Sequence, residues 1–370
     1  MEQNLNVTEM IKSRQRNLSV DILKILSMLM VIVLHTKTYG LNGVSLEPST
    51  GIYWIVSALH IFSLVAVNCF VLISGYYNSS SATQPKKLLK LWLQVEFFSV
   101  GIYLIQIAIP NNGIEFGFGD FLINCLPIMS NQYWFFTCYI VLMIVAPYLN
   151  RFLDTLEQKD FKKLLVILLS LFVLVPTLNI FGDSFDTSNG YSAVWFIVLY
   201  IVAAYLRRYP LPKKPYGLFY ICISIASVFA YGILDYLNKF LPLFGQARDV
   251  LHRYNSATVF LASVCLFLFF INLSVTSKDG KGRLISNISA VSFSVYLLHD
   301  HPYIRELLWD KTVKLSETVN SIPSYLLRLL ISVLCFFIAG AVIGWIISFV
   351  INSAENLIMK LKTNKSVNFK

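Results

Sequence analysis

The stretch that decides the fold is Arg14–Tyr39, RQRNLSVDILKILSMLMVIVLHTKTY. Its two arginines lead into an apolar run of the length a bilayer helix needs, roughly 20 residues. Three ionisable side chains, Asp21, Lys24 and His35, lie inside that run. On an α-helix the step from Lys24 to His35 is about 1100° of rotation. The two therefore differ by only ~20° around the axis, with His35 ~16 Å farther along it. Asp21, Ser27, Val31 and Thr38 fall near the same stripe. One face thus carries charge at one end and an imidazole deep inside. Taken singly, each residue has an ordinary explanation: Lys24 can snorkel to the headgroups, and His35 can hydrogen-bond to a neighbouring helix. Both on one face, at a depth where ionisable groups are costly, point to a protein-lined cavity and a functional role.

Composition sets the class. Of 370 residues, 56% are hydrophobic and only 14% charged, against about 25% charged in a soluble domain. This is the composition of a membrane protein, and the 28 Phe and 20 Tyr suit lipid-facing surfaces and interfacial belts. The formal charge of +10 has no nucleic-acid motif beside it, so no nucleic acid is expected as a partner; the bases sit in short loops between apolar runs. The first run lacks a small-residue cleavage site and is expected to be a retained anchor helix. Cys69, Cys125, Cys138, Cys222, Cys265 and Cys335 are scattered through apolar segments without CxxC spacing. They read as small buried hydrophobes rather than a disulfide framework or a metal site.

Ten spans are expected, at about 20–41, 52–77, 88–109, 132–150, 162–181, 191–206, 216–236, 255–275, 285–304 and 324–351. The ninth is the least apolar and the last is longer than a bilayer requires. Most of the 30 lysines and arginines fall in the N-terminal segment, in alternate loops and in the C-terminal segment, whereas 42–51, 110–131 and 182–190 contain none. The positive-inside rule then places both termini in the cytoplasm. The expected fold is all-α: a polytopic membrane bundle of about ten helices over 20–351. A basic segment (1–19) precedes it, and a basic, frayed tail (352–370) follows near anionic headgroups. With no loop much longer than about 20 residues and no internal repeat, any chemistry belongs to the bundle.

Other chemistry-bearing residues cluster in a few places. In span two, Ser74-Gly75 suits close helix approach, and His60 is a second buried imidazole, read first as a structural hydrogen-bonding group. Glu96 in span three is a membrane carboxylate in need of a partner and a candidate cavity-lining, substrate-binding group. Trp134, beside Tyr133 at the start of span four, suits an aromatic belt and is also a candidate substrate contact. Span nine, SAVSFSVYLLHDHPY, carries Ser292, Tyr296 and His299 on one helical face, with Asp300 and His301 after them. The HDH run lacks the i, i+4 spacing of a helical ligand pair, so no metal is expected. A histidine oriented by a hydroxyl or carboxylate is the better use of the group.

Together, the Arg16-x4-Asp21-x2-Lys24-x10-His35 pattern, CFVLISGYY in span two, YWFFTCYIVLMIVAPYLN in span four and SFSVYLLH in span nine resemble acyltransferase family 3 of integral-membrane acyltransferases. The resemblance covers nearly the whole chain, and the ordered set of motifs carries it rather than any one of them. It implies transfer of an acyl group, mostly acetyl, from cytoplasmic acyl-CoA to a hydroxyl of a sugar or lipid handled at the membrane. It also implies an essential role for His35 and an acyl-donor role for Lys24, where many members carry arginine. Lysine keeps the charge but loses the bidentate fork for phosphate. Some members end in a secreted SGNH-type domain; here transfer is expected to finish within the bundle.

The resulting expectation is a bacterial plasma-membrane O-acetyltransferase acting on a cell-surface glycan or its lipid-linked precursor. The donor's anionic head is expected among Arg14, Arg16, Lys24, Lys86 and Lys87, with Asp21 fixing the mouth. His35 is expected as general base and His299 as a second catalytic residue, His299 with Tyr296 positioning the acceptor. The rival from another class is a transporter or glycan flippase that uses the buried His, Lys and Glu. It would be expected to show inverted repeats or paired broken helices, and the sequence has neither.

Overall fold

The computed structural model describes residues 17–80, 85–110, 113–273, 275 and 280–367. Every regular element among them is helical. The chain is an all-α polytopic membrane bundle, with seven helices long and apolar enough to cross a bilayer among the described residues. The first span is α1 (Leu18–His35), extended by a π-helical turn, Thr36–Gly40. The next spans are the near-continuous pair α2 (Gly51–Ser63) and α3 (Val65–Asn78), then α4 (Pro85–Ala108). A short α5 (Phe118–Cys125) lies between α4 and α6 (Trp134–Asp154). After α7 (Gln158–Leu169, continuing to Leu178) come α8 (Ala193–Arg208) and α9 (Tyr216–Leu237). Then follow α10 (Leu243–Val250), α11 (Ala257–Asn272), α12 (Lys281–His299), α13 (Pro302–Glu306) and α14 (Ile322–Val367).

All ten expected spans fall on helices, but three differ in kind from the rest. At 16 residues each, α8 and α11 are shorter than a bilayer-crossing helix. The third, α12, is long enough but rich in serine. The reason is burial: Trp195, Phe196 and nearly every following residue of α8 through Leu206 are buried. Helices screened from lipid by other helices need neither the full apolar length nor an apolar circumference. At the other extreme α14 continues to Val367, so most of the segment expected as a frayed tail is helical; near its start Lys90 of α4 pairs with Glu355 at 2.6 Å.

Small residues set the closest approaches. A Cβ on Gly75 of α3 would meet the backbone of Tyr200 on α8 at 2.9 Å, so the Ser74-Gly75 pair serves packing. A Cβ on Gly340 of α14 would lie 2.5 Å from the Cα of Val295 on α12, and one on Gly344 would collide with Ser294. Gly340 and Gly344 have the G-x-x-x-G spacing that lets two helix backbones touch.

The buried apolar residues form two large groups. One gathers around α8 with α3, α9 and α11, and the other around α1, α12 and α14. Where the two meet lies a cavity of about 280 Å³ lined by residues of both groups.

Candidate active site

The N-terminus of α1 is fixed by Asn17, whose side chain accepts from the Ser19 amide at 3.0 Å, as a good N-cap does. One turn on, Asp21 is buried and accepts from the hydroxyls of Ser286 and Ser289 on α12, both at 2.8 Å. Lys24 lies 4.0 Å from the same carboxylate and keeps about a third of its side chain exposed. Asp21 therefore fastens α1 to α12 and holds Lys24 beside it. Arg14 and Arg16 lie outside the described residues. Arg207, at the end of α8, joins this region by stacking over Tyr76 and Tyr77, 4.9 and 5.7 Å from the ring centres. It borders a more open cavity of about 430 Å³ with Arg208, Asp154 and Asn150; Arg208 is paired with Asp154.

Up the stripe from Lys24, the hydroxyl of Ser27 is buried and has no hydrogen-bond partner among the described residues. The central cavity begins at Met28 and Val31 and reaches His35, Thr38 and Tyr39. Its deep end is thus about one helical turn, ~6 Å, above Lys24. His35 sits where the α-helix gives way to the wider π-turn, a distortion frequent at functional sites.

His35 is held in a specific proton arrangement. Its Nδ1 lies 2.9 Å from Nε2 of His299, and Nδ1 of His299 faces the carbonyl of Val295. A carbonyl can only accept, so His299 carries its proton on Nδ1, and its Nε2 is a lone pair. That lone pair accepts from His35 Nδ1–H and leaves His35 Nε2 unprotonated. The assignment follows from the hydrogen-bond network. Asp300 Oδ1 stands 4.0 Å from His35 Nδ1. It accepts from the Tyr39 hydroxyl at 3.0 Å, and Arg305 donates to that hydroxyl at 3.2 Å. An imidazole with a free lone pair, a second imidazole that fixes its tautomer and a nearby carboxylate thus meet at one wall of the cavity, an arrangement able to do general-base chemistry.

The structure brings together His35, His299, Tyr296 and Trp134 around the cavity, with one change of role. His299 is fully buried, both its nitrogens are engaged, and it does not line the cavity. Its contacts orient His35, and it presents no atom to the cavity. Tyr296 and Trp134 do line it. Trp134 belongs to an aromatic cluster, 4.6 Å from the Tyr191 ring and stacked 6.0 Å from Tyr254, rather than to an interfacial belt. Glu96 does not line the cavity: it is half-buried on α4, and its buried Oε1 has no hydrogen-bond partner among the described residues. It lies at the edge of the buried face of α4, one turn from Ser99 and two from Tyr103. The acceptor-binding role expected of it has no support in this arrangement.

His301 is accounted for by packing: it accepts from the Tyr303 amide, and its other nitrogen is 3.2 Å from both the Ser99 carbonyl and Gln132. Among the described residues no three His, Cys, Asp or Glu side chains form a metal-binding group. Tyr39, Asp300 and Arg305 could have been suspected from the sequence only as neighbours of His35 and His299. His252, which also lines the cavity, gave no periodic signal because it lies in the connection between α10 and α11.

Comparison with known proteins gives one match: the sequence model of a family described as an acyltransferase domain aligns with residues 17–352. No curated protein and no solved structure matches the chain.

Proposed function

The chain belongs to the acyltransferase-domain family, and from that premise we propose that it moves an acetyl group from cytoplasmic acetyl-CoA to a hydroxyl of a cell-surface glycan or its lipid-linked precursor. The observation that carries the reading is the His35–His299–Val295 hydrogen-bond chain, which leaves one unprotonated imidazole nitrogen on a membrane-buried cavity.

In this reading the loop charges set the Lys24 end toward the cytoplasm. Lys24 and Arg207 receive the donor's phosphates, with Arg14, Arg16, Lys86 and Lys87 adding positive potential at the mouth. The donor's extended thiol arm follows the α1 stripe past Ser27 to His35. His35 Nε2 takes the proton of the acceptor hydroxyl as its oxygen attacks the thioester carbonyl carbon. The carbon–sulfur bond breaks, the proton passes from His35 to the departing thiolate, and the products are the ester and the free thiol. General-base assistance of this kind contributes typically 10²–10⁴-fold. Asp300 and His299 stabilise the imidazolium that forms between the two proton transfers. The plasma membrane of a bacterium is the setting that suits a cytoplasmic donor and a surface glycan.

The test is labelled acetyl-CoA incubated with membranes containing the protein and its host's glycans. His35→Ala should insert normally and transfer no label; retained transfer would sink the assignment of the base.

A further inference from the structure

The cavity holds a second pair of histidines that the reaction above does not use. His60, in the last turn of α2, and His252, after α10, pack edge to face with ring centres 4.8 Å apart. Both line the same cavity as His35. Unlike His35, His299 and His301, neither has any hydrogen bond to a protein group among the described residues, and His60 Nδ1 and His252 Nε2 are buried without partners. His252 is backed by the Tyr231 ring at 4.6 Å. That ring is fixed in turn by Lys37, whose ammonium lies 3.4 Å from its hydroxyl. The pair is therefore rigidly placed yet unsatisfied.

Buried polar groups nearly always find partners, and leaving one without costs about 1–3 kcal/mol. Two adjoining imidazoles on a cavity wall meet that requirement when something bound supplies the partners. Each neutral imidazole presents one N–H and one lone pair. A hydroxyl both donates and accepts, so adjacent hydroxyls on one ring can satisfy two imidazoles at once. The rest of the wall fits the same guest. Trp134, Tyr191 and Tyr254 form a contiguous aromatic surface, with Tyr191 and Tyr254 4.7 Å apart, suited to the C–H face of a sugar ring. At about 280 Å³ the cavity is at the low end of ligand sites, which run roughly 300–1,000 Å³. It has room for a sugar ring.

We infer that His60 and His252 bind hydroxyls of a single pyranose residue of the acceptor, stacked on the Trp134–Tyr191–Tyr254 surface, and so select which hydroxyl reaches His35. This rests on the acyl-transfer reading of the same cavity. It makes the acceptor group a sugar rather than a fatty alcohol.

The test uses the full-length protein in detergent or nanodiscs, labelled acetyl-CoA, and glycan-bearing membranes of the source organism as a graded acceptor preparation. The variants are His60→Phe, His252→Phe, His60→Asn and His252→Gln. The expected result is an apparent acceptor KM raised roughly tenfold by either Phe variant, partly recovered by the corresponding amide. Binding of acetyl-CoA, measured by equilibrium dialysis, should stay unchanged. Equal KM values in wild type and Phe variants would overturn the inference. So would a parallel loss of donor binding, or amides no better than Phe, since either would mean that the pair only supports the fold. Absence of any label transfer by the wild-type protein would instead remove the acyl-transfer reading, and this inference with it.

Discussion

The two histidine pairs share one cavity and differ in what holds them. His35 and His299 are linked in a hydrogen-bond chain that ends on a helix carbonyl, with Asp300 close by. His60 and His252 touch only by their ring faces and edges and hydrogen-bond to nothing in the described protein. In the proposed reaction, a fixed proton on one nitrogen makes His35 a directed base. An unclaimed nitrogen gives a binding surface that acquires a partner when a ligand arrives. The lesson is that burial alone does not distinguish the roles of membrane histidines; the partners of their nitrogens do.

Four substitutions would break or sharpen this contrast. His35→Ala has the largest expected effect, a fall in acyl transfer of about 10²–10⁴-fold, read as label moved from acetyl-CoA at saturating acceptor. His299→Phe leaves a ring of similar size but frees the His35 tautomer. It should cost on the order of 10²-fold in kcat with little change in either KM; a KM effect on the acceptor would return His299 to the binding role expected of it from sequence. Lys24→Ala should raise the donor KM roughly tenfold while the acceptor KM stays put, and the reverse pattern would reject its place at the donor mouth. Ser289→Ala is the mildest. Asp21 keeps its bond from Ser286, so a thermal midpoint lower by a few degrees and a transfer rate within about twofold are expected, checked by a melting assay in detergent beside the transfer assay.

The first helix was legible because its chemistry is local. Helical geometry alone aligns Lys24 with His35, and Asp21 is one turn from Lys24 whatever the other helices do. His299 was also legible, since a serine-rich span ending in histidine and aspartate stands out against an apolar background. Its role was not, because only the fold shows that the His299 ring lies between His35 and Val295. For Glu96, a carboxylate in an apolar segment signals a cost, but sequence cannot say that the residue stands apart from the cavity lining. His252 left no mark at all. It comes from a connection between helices and meets His60 across nearly 200 residues of chain, a proximity that no periodicity records. The short α8 and α11 illustrate a wider limit, because span length predicts crossing only for helices that face lipid.

The close approach of α14 to α12 has a consequence for inheritance. Gly340 contributes no group to the cavity, yet any side chain there would press on Val295, whose carbonyl holds the proton of His299 and through it that of His35. A genetic screen for strains that have lost the proposed acyl transfer should therefore return codon 340 beside codon 35. Such alleles would make an inserted, full-length protein whose defect looks like a missing base.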